Sequence, residues 1–369
     1  TYSGTTTVNG GTLNIGSGAT GRVGTGAISI GSGATMMFNT TSYQGGTVIS
    51  SALSGSGIFE VGGSGSTGTI RYSGDASAFS GQVIVDTNAR LGLYSNTSSS
   101  TAADYVINGL LSYQTSNITF TLGSLAGTGQ IGQGGGSSNN ILNIGGNNKS
   151  TTFSGNIGIQ LVKSGSGMLI LSGSNTYVSG TTLTGGILQI GNGTSGSLAN
   201  SGAIVISTGA TLNFNMATGS SFSRPIANSG TISFAQSGTM AVSSNISGTG
   251  SLVQLGSGTT TLSSASTYSG STTISGGTLS ATNANSLGSG QVLITSASGT
   301  LNSSTVLLPN SVTYGSVSGS QTGSTQAGYG TWSSITTAAG LYFNSSAISG
   351  CSGTGGTCST ALTLSNGNT

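Results

Sequence analysis

A glycine-punctuated pattern of alternating apolar residues recurs along this chain and limits most strongly what it can fold into. The central copy runs from Leu161 to Asn215, and part of it reads TTLTGGILQIGNG. Alternation with a period of two, bounded by Gly, Ser, Thr and Asn, indicates short half-buried strands. No stretch of about ten residues sustains the 3.6-residue period of a helix. The sequence therefore predicts an all-β fold.

The pattern occurs in three clear modules, at residues 1–39, 161–215 and 249–302. Each module carries a Tyr, then an apolar residue, then a glycine pair and then a Leu. The equivalent residues are Tyr2, Val8, Gly10–Gly11 and Leu13; Tyr177, Leu183, Gly185–Gly186 and Leu188; and Tyr268, Ile274, Gly276–Gly277 and Leu279. The intervals between modules differ, which fits stacked coils that tolerate insertions in their loops.

These residues resemble the autotransporter-associated β-strand repeat of large secreted bacterial passenger proteins. The repeat reads L-x-K-x-G-x-G-x-L-x-L-S-G-x-N-x-Y-S-G and then T-x-x-x-G-G-x-L-x-I-G. Leu161–Gly191 follows it almost throughout, with one extra residue at Val178. Leu252–Ala281 follows it with Gln254 in the Lys place, and Thr1–Gly16 carries its second half. The resemblance implies a right-handed parallel β-helix at the bacterial cell surface or outside the cell.

We expect one β-solenoid over residues 1–369, with an irregular excursion over 306–341 where the pattern is weakest. Only two residues are proline, which suits a ladder that uses its backbone N–H groups. The 34% of apolar residues recur in strand-sized groups, which favours a folded chain over a disordered one. We take a turn length of about 22 residues, with strands of adjacent turns about 4.8 Å apart.

Charge is almost absent, and this narrows the function classes. The chain has six basic residues, four acidic residues and no histidine. Without a basic stripe, nucleic-acid binding is not expected. Without histidine, a Ser–His–Asp or Cys–His arrangement is excluded, and four scattered acids favour no glycosidase pair. We therefore predict a protein that is not an enzyme and needs no cofactor or metal. No apolar run reaches the about 18 residues of a membrane span.

The two cysteines, Cys351 and Cys358, flank the sequence SGTGGT. A glycine-rich loop of this kind brings two Cα atoms to the separation that a disulfide needs. We predict a local disulfide and hence an oxidising compartment. The alternative is a pair of free thiols.

The two ends of the sequence fit together as one repeat. The tail LTLSNGNT followed by TYSGTTTVNGGTLNIG rebuilds the pattern, with one residue more than the central copy. The chain starts within a repeat, so we expect it to be processed or cut from a longer one. Three accounts follow: separate protomers that stack head to tail, one period of a giant chain, or arbitrary boundaries within an ordinary passenger. A head-to-tail joint predicts interface residues Tyr2, Val8 and Leu13 on one end, and Leu362 and Leu364 on the other.

The sequence thus predicts an extracellular structural protein that polymerises into a surface filament or matrix fibre, with copies of itself as partners. Low charge suits such association. The alternative is an adhesin passenger that binds polysaccharide or a host surface through the aromatic residues Tyr314, Tyr329 and Trp332. Neither account needs nucleic acid or a membrane span.

Overall fold

The computed structural model describes residues 2–16, 21–40, 47–63, 67–132, 139–177, 179–199, 202–283, 285–296 and 298–303, and then the strand segments 312–314, 320–323, 330–331 and 363–364. The fold is an all-β parallel β-solenoid of about 13 turns, and the described residues contain essentially no helix. The predicted fold class is confirmed. Two compact units make up the chain: Thr1–Leu188 with Gly196–Ala199, and Gln189–Ser195 with Asn200–Thr369.

Short strands build the first part of the chain, together with one 3-10 turn at Asn96–Ser98. The strands up to residue 198 are β1 (Thr6–Val8), β2 (Gly11–Ile15), β3 (Ile28–Ile30), β4 (Ala34–Phe38), β5 (Thr47–Ile49), β6 (Leu53–Gly55), β7 (Ile58–Val61), β8 (Thr69–Tyr72), β9 (Ala78–Phe79), β10 (Gln82–Val85), β11 (Arg90–Leu93), β12 (Asp104–Ile107), β13 (Leu110–Tyr113), β14 (Thr119–Leu122), β15 (Ser124–Ala126), β16 (Gln130–Ile131), β17 (Ile141–Ile144), β18 (Thr151–Phe153), β19 (Asn156–Ile157), β20 (Gln160–Lys163), β21 (Met168–Leu171), β22 (Ser174–Asn175), β23 (Thr181–Leu183), β24 (Ile187–Ile190) and β25 (Ser197–Leu198).

The strands from residue 204 onward follow the same plan. They are β26 (Ile204–Ile206), β27 (Thr211–Phe214), β28 (Ser220–Phe222), β29 (Ile226–Asn228), β30 (Thr231–Phe234), β31 (Thr239–Val242), β32 (Ile246–Ser247), β33 (Ser251–Gln254), β34 (Thr259–Leu262), β35 (Thr272–Ile274), β36 (Thr278–Ala281), β37 (Val292–Ile294), β38 (Thr300–Ser303), β39 (Val312–Tyr314), β40 (Ser320–Gly323), β41 (Gly330–Thr331) and β42 (Thr363–Leu364).

Each turn of the solenoid adds one strand to each of several parallel sheets. In the first unit three sheets run β1-β3-β6-β9, β2-β4-β7-β10-β12-β15 and β5-β8-β11-β13-β16-β19. In the second unit two long sheets run β27-β30-β33-β35-β37-β39 and β28-β31-β34-β36-β38-β40. Paired residues lie between 18 positions apart, for Thr151 with Leu169, and 26 apart, for Gln130 with Asn156. The assumed turn length of about 22 residues lies within this range.

The core is a stack of inward-facing apolar side chains, one layer per turn. In β21 the inward residues Leu169 and Leu171 are buried, whereas their neighbours are partly exposed. Aromatic rings stack between turns, with centroids 5.5 Å apart for Phe214 and Phe234. Each such buried side chain contributes about 1.5–3 kcal/mol. An isolated turn would lose this contribution, because the turns above and below it are what bury these side chains.

The segment predicted as an excursion, 306–341, contains strands that continue the ladder. Val312–Tyr314 pairs in parallel with β37, and Ser320–Gly323 pairs in parallel with β38. Gly330–Thr331 instead pairs antiparallel with Thr363–Leu364. The rest of the predicted excursion lies outside the described residues.

Candidate functional site

A Tyr–Thr hydrogen bond lies at the strand entry of each repeat copy, and it is buried in the two internal copies. The hydroxyls of Tyr177 and Thr181 lie 2.8 Å apart, and those of Tyr268 and Thr272 lie 2.7 Å apart. Burial raises the pKa of Tyr268 to about 12. The N-terminal half-repeat forms the same bond, with 2.5 Å between the hydroxyls of Tyr2 and Thr6. The half-repeat at the N-terminus therefore already has the local geometry of the complete copies.

The second glycine of each pair makes the next turn, with a left-handed backbone. Its φ is 67° at Gly11, 61° at Gly186 and 53° at Gly277. Only glycine adopts this conformation without strain. The N-terminal copy therefore shares the left-handed glycine turn with the two internal copies, in addition to the Tyr–Thr bond.

The Lys place of the repeat serves as a cap on the glycine turns. The Nζ of Lys163 donates to the carbonyl oxygens of Ser164 (2.6 Å), Gly165 (3.2 Å) and Gly185 (3.3 Å). The Lys163 side chain is buried, and burial lowers its pKa to about 8. The buried Lys163 ammonium group thereby has three hydrogen-bond partners, which offset the cost of its burial.

Gln254 performs the same task in the next complete copy. Its Nε2 donates to the carbonyl oxygens of Gly256 (3.1 Å) and Gly258 (3.2 Å), and its Oε1 accepts from Thr260 at 2.6 Å. The sequence reading noted Gln254 in the Lys place but missed this role. Strand alternation could have indicated this role, because it places Lys163 on the same inward face as Leu161.

The N-terminal edge differs from the internal copies in one respect: little covers it. Tyr2 is 51% exposed, whereas Tyr177 and Tyr268 are 2% and 0% exposed. Leu13 is 36% exposed, whereas Leu188 and Leu279 are fully buried. Val8, the third predicted interface residue on this side, is already buried at 6%. Both β1 and β2 are the outer strands of their sheets in the described part of the chain.

The glycine turn shows the same difference at atomic detail. A Cβ placed on Gly186 would lie 2.5 Å from the carbonyl oxygens of Gly165 and Gly167, which belong to the preceding turn. A Cβ on Gly277 would meet the preceding turn equally closely. On Gly11 such an atom would find no described atom within 4 Å. At the N-terminal edge, no described residue therefore fills the space that a preceding turn fills in the internal copies.

The remaining predicted site residues lie in the C-terminal region. Leu364 is in β42, which pairs antiparallel with β41, and Tyr314 is in β39. The predictions for Cys351, Cys358, Leu362, Tyr329 and Trp332 fall outside the described residues. Tyr2, Val8 and Leu13 are therefore the predicted interface residues whose side chains the structure describes.

A groove of about 960 Å³ lies on the flank of the first unit. Four strand-initial residues in register form its floor: Arg90 pairs with Leu110, Leu110 with Gln130, and Gln130 with Asn156. Corner residues of the same turns, among them Asn88 and Asn108, line its wall. Sequence reasoning missed this groove, because its members lie about 20 residues apart and share no motif.

The Tyr–Thr bond, the glycine turn and the Lys or Gln side chain all lie in segments that match a known repeat family. The profile of the passenger-associated transport repeat matches residues 1–15, 161–190 and 252–281. The chain carries the passenger-associated transport repeat. The matched residues include the Tyr–Thr bond, the glycine turn and the Lys or Gln cap of the passenger repeat. Comparisons with curated proteins and with solved structures found no match.

The passenger repeat and the β-solenoid fit an autotransporter passenger-like protein, and such repeats suggest a secreted or cell-surface location. Among the described residues, no helix has the length and apolar character to cross a membrane. The same part of the chain contains no group of three or more His, Cys, Asp or Glu side chains placed to hold a metal ion.

Proposed function

We propose that this passenger-repeat solenoid is an extracellular structural protein that assembles head to tail, with the N-terminal edge of one copy completed by the C-terminal strand of another. The observation that carries the proposal is the contrast between Gly11 and its equivalents. Gly11 has the turn geometry of Gly186 and Gly277, but the space above it is open.

The exposed residues of the edge favour a partner that resembles a preceding turn. In the internal copies that turn buries the equivalents of Tyr2 and Leu13. Covering the 51% of Tyr2 and the 36% of Leu13 that remain exposed would contribute about 1–3 kcal/mol, at about 1.5–3 kcal/mol for a fully buried side chain. Backbone hydrogen bonds along β1 and β2 would add to this and fix the register.

The tail of the chain has the sequence of the missing half-repeat. Residues 362–369 read LTLSNGNT, which supplies the L-x-L-S and Asn positions that precede Tyr in the passenger repeat. An interface between two different ends does not close on itself, so repeated addition produces a filament. With 3% charged residues, copies repel one another little. This role needs no catalytic group, metal or cofactor.

If residues 1–369 were one period of a longer chain, the same two ends would be joined by a peptide bond. The test must therefore use separate 1–369 chains. Sedimentation of residues 1–369 should show concentration-dependent assembly. Leu13→Glu should abolish it, because Leu13 is exposed in the single chain and would be buried in the joint. Leu255→Glu is the matched control, since Leu255 is 57% exposed and belongs to the second unit.

The proposal predicts loss of assembly in Leu13→Glu alone, with the same circular dichroism in all three proteins. Equal behaviour of the two variants would contradict it, as would a monomer at every concentration of the unaltered chain.

The adhesin account remains a second candidate, because the flank of the first unit carries a groove lined in part by hydrogen-bonding side chains. Of the aromatic residues that the sequence suggested for ligand contact, Tyr314 is in β39, and Tyr329 and Trp332 lie outside the described residues.

A further inference from the structure

The geometry points to a second binding site in this protein: the groove on the flank of the first unit, which we infer binds an extended, neutral polysaccharide chain. Its floor is the ladder Arg90–Leu110–Gln130–Asn156, and no contact of the head-to-tail joint involves it. The inference is therefore independent of the proposed assembly.

The spacing of the ladder suits a linear polymer. The four floor residues stand in register on consecutive turns, so neighbouring side chains are about 4.8 Å apart and the ladder spans about 14 Å. Asn156 also donates through its side-chain amide to the carbonyl of Ser174, which extends the line to the next turn. One step of this ladder is close to the length that one hexose ring adds to an extended glycan.

The chemistry of the lining favours hydroxyl groups. Nine of the fifteen lining residues are Asn, Gln, Thr or Ser, whose side chains both donate and accept hydrogen bonds, as sugar hydroxyls do. Apolar atoms make up the larger part of the exposed lining. Arg90 is the one charged side chain that lines the groove, and Leu110 offers an apolar patch for the face of a ring. A polyanion such as a nucleic acid would require several cations along its path.

The floor strands exclude a peptide that adds to a sheet. Such a peptide needs an unpaired strand edge. Here β11 pairs with β8 and β13, and β16 pairs with β13 and β19. Their backbone groups are committed to the ladder, so these strands have no unpaired edge for a peptide to join.

Several of these side chains are already held in place. The Oδ1 of Asn108 accepts from the backbone N–H (3.3 Å) and hydroxyl (3.4 Å) of Thr128. The Nε of Arg90 donates to the hydroxyl of Ser112 at 3.0 Å, and the Oδ1 of Asn156 accepts from Thr176 at 3.2 Å. Side chains fixed before binding lose less entropy on binding.

The test is isothermal titration calorimetry of the 1–369 chain carrying Leu13→Glu, so that assembly does not interfere. The probes are cellohexaose, laminarihexaose and maltohexaose, with hexagalacturonic acid as the charged comparison. The altered groove carries Gln130→Ala with Asn156→Ala. Gln160→Ala is the control, because Gln160 also begins a strand and faces outward but lies in another sheet.

We expect at least one neutral hexasaccharide to bind, and the groove variant to weaken that binding about tenfold or more through loss of two hydrogen-bonding groups. Gln160→Ala should leave the affinity unchanged, and circular dichroism should be the same in all variants. The inference is overturned if no neutral probe binds up to about 1 mM, if only the acidic probe binds, or if the two altered proteins bind alike.

Discussion

Lys163 shows how a single residue serves the passenger repeat. Its ammonium group is buried and bonded to three backbone carbonyls, so it completes the hydrogen bonding of two glycine turns. Removal from water lowers its pKa from 10.5 to about 8. Gln254 makes equivalent bonds without a charge. The repeat therefore needs an inward-facing N–H donor at this place rather than a cation.

The lowered pKa predicts a specific pH dependence of stability. Between about pH 8 and pH 10.5 the unfolded chain holds the Lys163 proton and the folded chain does not, so the free energy of unfolding rises with pH. From pH 8 to pH 10 the gain should be about 2 kcal/mol. Urea denaturation of the unaltered chain and of Lys163→Gln at these pH values measures it. Identical profiles of the two proteins would contradict this reading.

Above pH 10 the tyrosines reverse the trend. Burial raises the pKa of Tyr105 and Tyr268, the latter to about 12, so these groups stay protonated in the fold while they ionise in the unfolded chain. Their contribution is complete below the ordinary value of 10.0 and is lost as the pH rises beyond it. The comparison of Lys163→Gln with the unaltered chain is therefore made at pH 10 and below.

The Tyr–Thr bond gives a second prediction at this scale. Tyr177→Phe removes a hydrogen bond between two buried side chains and should lower the free energy of unfolding by about 1 kcal/mol. Tyr2→Phe is the matched control. It removes the same bond from an exposed ring, so its effect should be smaller. Thermal unfolding of the two variants decides, and a larger effect at Tyr2 would argue against burial as the cause.

At the scale of elements, the glycine turn links one coil to the next. Gly186 needs its left-handed backbone, and a Cβ at this position would also meet the carbonyl oxygens of Gly165 and Gly167. Gly11 also needs a left-handed backbone, but a Cβ there would meet no described atom. The two positions therefore separate conformational strain from steric contact between turns.

Alanine at these positions should have unequal effects on a single chain. Gly11→Ala costs about 1 kcal/mol, the strain of a left-handed alanine. Gly186→Ala adds a clash with two carbonyl oxygens and should cost at least about 2–3 kcal/mol. Denaturant midpoints of the unassembled proteins measure both. Equal losses would mean that the preceding turn can move aside.

Much of the element structure was predictable from the sequence. Alternation in Met168–Leu171 and Ile187–Ile190 predicted strands, and the glycine pairs marked the turns that the structure shows. The strand Ser320–Gly323 was not predictable, because the segment has no apolar alternation. It is a strand because it pairs with β38 of the preceding turn. The groove was hidden for a related reason: register brings Arg90, Gln130 and Asn156 together, and a single repeat contains no sign of register.

At the scale of the whole molecule, the proposed joint and the solenoid rest on the same interactions. A turn is stable when another turn covers it, and the N-terminal edge exposes the residues that such a turn would cover. An uncovered sheet edge favours association with another chain. The proposal is that the association is specific because the tail carries the other half of the passenger repeat.

Gly11→Ala tests this specificity, because it affects the chain and the assembly differently. In the joint its Cβ would meet the carbonyls of the incoming turn, as at Gly186 and Gly277. The variant should fold almost normally and fail to assemble. Gly33→Ala is the control, since Gly33 also has a positive φ of 75° and no described atom near its Cβ position. Assembly of both variants would show that the incoming turn does not approach Gly11.

The most direct measurement is negative-stain electron microscopy of the 1–369 chain beside the same chain without residues 362–369. The account predicts long, uniform filaments of the first protein and separate particles of the second, with unchanged circular dichroism. Filaments in both samples would show that the tail does not make the joint. Separate particles in both, at concentrations well above those used for sedimentation, would contradict head-to-tail assembly.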